Sequence, residues 1–116
     1  MSNHYETVFI LNPVLSEDQV KEAVKKYEEF IVNNGGEIVS YENWGLKKLA
    51  YPIENKKSGF YHLFEFTMPA ETVAAFETEF RRDERVMRFL TVSLDKYGIA
   101  YAVQRREKLK QKSQNA

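Results

Sequence analysis

Hydrophobic positions along the chain switch between two rhythms, and each switch falls at a turn or capping signal. Tyr5 to Leu11 is rich in β-branched and aromatic residues and stops at Asn12-Pro13, a turn-forming pair, so it reads as a first strand. Ser16-Glu17-Asp18-Gln19 then has capping-box form, with Leu15 and Val20 placed as a hydrophobic staple. Val20, Ala23, Val24, Tyr27, Phe30 and Ile31 follow at steps of three and four, with Lys and Glu between them, which predicts an amphipathic helix. It should end at Asn33-Asn34-Gly35-Gly36, where glycine can take the left-handed conformation. Glu37 to Tyr51 reads as a long second strand, with Gly45 a bulge or close-approach point and Pro52 near its end. Asn55 to Gly59 supplies a turn, and Phe60 to Met68 an aromatic third strand. Pro69 fits the first turn of a second helix carrying Val73, Phe76 and Phe80, with Arg81 and Arg82 in its last turn. Val86 to Leu94 completes the set as strand four.

The order strand, helix, strand, strand, helix, strand is the split βαβ arrangement of α+β proteins called ferredoxin-like (βαββαβ). It predicts a four-stranded antiparallel sheet with two helices on one face. Residues 1–95 would form this single domain and residues 96–116 a basic C-terminal tail. If Glu6 and Glu65 face solvent, Thr7, Phe9, Leu11, Phe64, Phe66 and Met68 enter the core. The open face then carries Val8, Ile10, Tyr61, Leu63, Arg88, Leu90 and Val92. That face is either scattered surface hydrophobicity or a docking surface for a protein partner.

Net charge is zero, which supplies no overall pull toward nucleic acid, but its distribution is uneven. Residues 104–116 carry five cations against Glu107, a net of +4, so residues 1–103 carry −4. The tail is either a solvated charge run or a segment lying along RNA or a partner protein, with Tyr97, Ile99, Tyr101 and Val103 as anchors. With no cysteine, thiolate chemistry and disulfides are excluded. No membrane-length apolar run or signal-peptide pattern is visible, so the expected location is cytoplasmic.

Catalytic chemistry finds little support. His4 and His62 lie in different elements, so no paired-histidine metal site or nucleophile-base pair is visible, and His62 reads as packing or a local hydrogen bond. Phosphate-loop signatures are missing, and Asn12-Pro13-Val14-Leu15-Ser16 lacks the arginine that an acylphosphatase-like enzyme would need. No enzyme activity, cofactor, metal or small-molecule substrate is expected. An RNA-recognition motif is also disfavoured. Aligned from Ser58, its third-strand pattern finds Gly59, Phe60 and Leu63, but Tyr61, His62 and Glu65 stand where it needs a small residue and two aromatics.

Gly45-Leu46-Lys47-Lys48-Leu49-Ala50-Tyr51-Pro52-Ile53 closely resembles a distinctive stretch of the sixth protein of the bacterial small ribosomal subunit. Tyr5-Glu6, Leu11-Asn12-Pro13, Gly59-Phe60-Tyr61, Met68-Pro69 and Arg81 to Val92 resemble that family in the same order, from about His4 to Ser93. The resemblance implies a ribosome-bound structural protein that binds the central domain of small-subunit (16S) ribosomal RNA jointly with the eighteenth protein of that subunit. Carried onto this chain, it places RNA contacts at Lys47, Lys48, Arg81 and Arg88, with Tyr51 packing on a ribose or base or else in the core. Arg105 and Arg106 add tail contacts by charge, while Met87 stands where the family can be basic. Val8, Ile10, Tyr61, Leu63, Leu90 and Val92 would face the partner protein. The competing reading is a protein-interaction module that uses the open face without RNA. Leu46 and Leu49 are expected to hold strand two in place.

Overall fold

The computed structural model describes residues 2–53, 55–95, 98, 101 and 103–104. Chain order is β1 (Ser2–Leu11), α1 (Glu17–Asn33), β2 (Glu37–Ile53), β3 (Lys56–Pro69), α2 (Ala70–Arg82) and β4 (Val86–Ser93). The strands form one antiparallel sheet in the order β2-β3-β1-β4. β1 and β3 are therefore central. Arg105 and Arg106, with the tail beyond residue 104, lie outside the described residues, as do Tyr97 and Ile99. Tyr101 and Val103, expected as anchors, are exposed.

Local signals act where the sequence placed them. The Ser16 hydroxyl accepts from the Gln19 backbone N–H at 3.2 Å, and the Gln19 side chain accepts from the Ser16 N–H at 2.9 Å, so two orphan donors of α1 are satisfied. Gly35 ends the helix at φ +81°, a conformation that costs glycine little. Ala23, Tyr27 and Ile31 of α1 and Phe76 and Phe80 of α2 are buried on one side of the sheet, against Tyr5, Phe9, Leu11, Phe64, Phe66 and Met68. Phe9 is the hub, with ring centroids 5.7 Å from Tyr27, 5.5 Å from Phe64 and 5.2 Å from Phe80.

Four expectations are corrected. Glu65 lies on the face away from the helices, but it is fully buried. It sits on a central strand, level with Glu6 on one side and Ser40 on the other, and its Oε2 is 2.6 Å from His4 Nε2. The hairpin is tighter than the polar run 55–59 suggested. Ile53 pairs with Lys56, Asn55 takes the left-handed conformation at φ +67°, and Lys56 to Gly59 belong to β3. Pro69 ends β3 and caps α2 rather than entering its first turn. Leu46 is 58% exposed, so of the two leucines only Leu49 is buried.

Candidate RNA and partner interface

The open face is less open than its apolar composition implied. Leu63 is fully buried and Ile10 nearly so. An ideal Cβ on Gly59 would come within 2.3 Å of Ile10 Cγ2, so a side chain at position 59 would collide with Ile10. Val8 and Tyr61 are half-buried. Only Leu90 (64% exposed) and Val92 (40%) on the β4 edge present substantial apolar area. Ile10 and Leu63 of the expected partner face therefore offer no surface, whereas Leu90 and Val92 do.

Ladder register brings basic residues to one end of this face. Gly45 pairs with Tyr61, Tyr61 with Ile10, and Ile10 with Arg88, which makes a single row across all four strands. Lys47 pairs with Gly59 one alternation beyond that row, at the β2 edge, while exposed Arg88 occupies the β4 edge. Strand spacing puts the two edges roughly 14 Å apart, too far for one anion to meet both cations. Gly45 adopts φ +76° at a register shift, and its N–H donates to Asn43 Oδ1 at 2.9 Å. The resulting bulge re-aims the strand. It brings Trp44, half-buried, parallel to Tyr61 at 6.4 Å, with Lys47 Nζ 5.5 Å from the indole centroid. Sequence reasoning missed Trp44, although the sole tryptophan beside a bulge glycine was a usable signal.

Lys48 pairs with Ser58 and points to the other face of β2, so the lysine pair brackets the edge strand. Tyr51 is 77% exposed, which removes its core-packing alternative. Arg81 sits on α2 with its guanidinium 5.8 Å from the Phe89 ring and 3.9 Å from Glu77. Arg81 and Arg88 line one cleft with Phe80, Val86, Met87 and Phe89. The structure thus gathers the sequence-derived cations into two groups, one at each sheet edge.

Two buried polar clusters underlie these edges. Asp83, at the end of α2, accepts from the Tyr27 hydroxyl at 2.7 Å, from Arg85 Nε and Nη2 at 2.9 Å each, and from the Arg85 backbone at 3.0 Å. His62 lies between Phe9 on β1 and Tyr41 on β2, both near parallel to it, and its Nδ1 is 2.7 Å from the Tyr41 hydroxyl. The sequence reading of His62 as a packed, locally bonded side chain agrees with this. Burial holds its imidazole well below the usual range, at about 4.

That depression has a sign. Between pH 6.5 and 4 the unfolded chain binds the proton that the folded chain refuses, so stability is complete above pH 6.5 and falls as pH drops toward 4. The loss should reach about 2–3 kcal/mol between pH 7 and pH 4.5. Urea unfolding of wild type and His62→Phe at both pH values checks this: the variant should lose clearly less, and equal losses would assign the pH dependence elsewhere.

Comparison with known proteins agrees with the architecture. The profile of the ribosomal protein S6 family matches residues 4–93. The chain belongs to this family. It is 71% identical over 108 residues to the small ribosomal subunit protein bS6 of Flavobacterium psychrophilum, covering 93% of this chain and 96% of that one. Identity to the corresponding protein of Flavobacterium johnsoniae is 73% over the same length and coverage. The crystal structure of 30S ribosomal protein S6 from Thermotoga maritima superposes with a TM-score of 0.78 at 22% identity, covering 96% of this chain and 99% of that one. The ferredoxin-like fold is therefore shared even where most residues differ. Among the described residues no cluster of His, Asp and Glu could hold a metal ion, and no helix is long and apolar enough to cross a membrane.

Proposed function

We propose that this S6-family chain is a structural constituent of the small ribosomal subunit, and hence cytoplasmic. It binds small-subunit ribosomal RNA through the end of the sheet that carries Lys47, Lys48, Tyr51 and Arg88, with Arg81 beside it. It does so jointly with the eighteenth protein of the subunit, which covers the β4 side of the open face. The observation that supports this best is the exposed basic and aromatic end itself, where Lys47 lies over Trp44, Trp44 lies parallel to Tyr61, and Arg88 stands across the sheet. Phosphate contacts of this kind position a protein, while the shape of a folded RNA supplies selectivity. A domain carrying −4 outside its tail has little long-range attraction for RNA, so a second protein is needed to complete the binding surface.

The test is retention of central-domain RNA fragments by the full chain, with and without the partner protein. Retention should be strong only when both proteins are present. No retention in either case would overturn the reading.

Leu90→Asp combined with Val92→Asp separates the protein contact from the RNA contact. Both positions are exposed on an edge strand, so folding stability should change by about 0.5 kcal/mol or less per site. Partner-protein affinity, by calorimetry, should fall about tenfold or more. Unchanged affinity would remove β4 from the protein interface.

A further inference from the structure

Beyond the level where Leu11 of β1 pairs with Phe60 and with Val86, only β2 and β3 continue. Lys56 to Gly59 of β3 run on against the end of β2 as a two-stranded ribbon, roughly 13 Å past the four-stranded sheet. Asn55 closes it in the left-handed conformation. Charge sets this ribbon apart from the rest of the molecule. Residues 46–58 hold Lys47, Lys48, Lys56 and Lys57 against Glu54 alone, a net of +3, so the remainder of residues 1–103 carries −7. Among the described residues none of these four lysines forms an ion pair, whereas Lys25 and Lys26 of α1 are paired with Glu29, Glu79 and Asp83. A positive projection on a negative body is the part that meets a polyanion first.

Register divides the four lysines between two faces. Lys47 pairs with Gly59, so Lys57, two residues along β3, shares the open face with it. Gly59 adds no side chain between them. Lys48 pairs with Ser58, so Lys56 shares the opposite face with it. Lys47, Lys48 and Lys57 are exposed and Lys56 is half-buried. From this geometry we infer that the ribbon seats in the shallow minor groove of an RNA double helix, Lys47 and Lys57 meeting the phosphates of one strand and Lys48 and Lys56 those of the other. The inference rests on the RNA reading above and names within it the form of RNA and two further contacts, Lys56 and Lys57. A single strand following one face would use one lysine pair and leave the other to water. The major groove of an RNA helix is deep and narrow, whereas its minor groove is wide, shallow and lined by 2′-hydroxyls. Tyr51, 77% exposed on the same ribbon, brings a ring and a hydroxyl to that sugar edge.

Lys56→Ala with Lys57→Ala should weaken binding of the full chain, with the partner protein, to central-domain RNA about tenfold at moderate salt. It should also flatten the salt dependence of log affinity by up to about 1.8. Lys56→Arg with Lys57→Arg should keep both values. Lys21→Ala with Lys25→Ala removes the same charge from α1 and should leave the slope as it is; an equal loss would make the ribbon one share of a general field and overturn the inference. Urea unfolding establishes that every variant folds as wild type does. Placement has a second test that needs no loss of charge contacts to be interpreted. The sequence has no cysteine, so Lys57→Cys offers a single attachment point for a hydroxyl-radical probe. Cleavage should fall on the two facing strands of one RNA helix, and cleavage confined to an unpaired segment would remove the groove. Lost affinity for the partner protein alone would give the ribbon to that protein. If the Lys56 and Lys57 variant binds RNA as wild type does while Lys47→Ala with Lys48→Ala fails, the two-sided grip falls and the broader function stands. If wild type itself binds no RNA, the broader function falls too.

Discussion

The double substitution Lys47→Ala with Lys48→Ala is expected to weaken binding to central-domain RNA, in the presence of the partner protein, by about tenfold or more at moderate salt. It should also flatten the dependence of log affinity on log salt by up to about 1.8, since each cation released from duplex-like phosphate contributes about 0.9 to that slope. The structure sharpens the reason. The lysines point to opposite faces of β2, and β2 is an edge strand, so one RNA segment passing the edge can meet both ammonium groups. Lys47 is further held by the Trp44 ring, so its single substitution should cost more than that of Lys48. Filter binding or calorimetry at several salt concentrations provides the measurement. An unchanged slope with unchanged affinity would show that the β2 edge does not carry the RNA.

Asp83→Ala is expected to cost about 3 kcal/mol of stability without altering the face of the sheet. Four hydrogen bonds converge on this carboxylate, whose side chain is only 5% exposed, and Lys26 Nζ lies 3.7 Å away. Together they tie α1 through Tyr27 to the end of α2, and Arg85 carries the link onward by accepting from the Asn12 N–H at 2.9 Å. Removing the carboxylate leaves the Tyr27 hydroxyl and the Arg85 guanidinium without that acceptor. Burial pushes the Asp83 carboxyl up, but the hydrogen bonds from Arg85 and Tyr27 outweigh it and hold it at about 2. Because the folded value lies below the unfolded one, this stabilisation is complete above about pH 4 and disappears as pH falls through about 2. Urea unfolding at pH 7 should show the variant far weaker than wild type, and the gap should close at pH 2. A difference under about 1 kcal/mol at pH 7 would mean that water replaces the carboxylate at little cost.

How much of this was legible in advance depends on the range of the interaction. The α1 cap, its stop at Gly35 and the core side of β1 and β3 are local or periodic properties, and the residues Ser16, Gln19, Gly35, Phe9 and Phe64 declared them. Exposure on the open face was not legible. Strand alternation assigns a side but not what the neighbouring strands place over it, so Leu63, Ile10 and Glu65 were put on the correct side with the wrong exposure. Nothing local in the sequence marks Asp83, and only the approach of Tyr27 from α1 makes it a hub.

The sequence by itself determined the element order, the ferredoxin-like class, family membership and the basic character of Lys47 and Lys48, because periodicity, caps and turn residues act within a few positions of the chain. Tertiary structure alone decided that the lysines occupy an edge strand, that Trp44 and Arg88 share their end of the sheet, that the apolar face narrows to Leu90 and Val92, and that His62 is buried against Phe9 and bonded to Tyr41. Each of these depends on which strand lies beside which, and that is set by contacts between residues far apart in the chain, such as Thr7 with Thr91, 84 positions away.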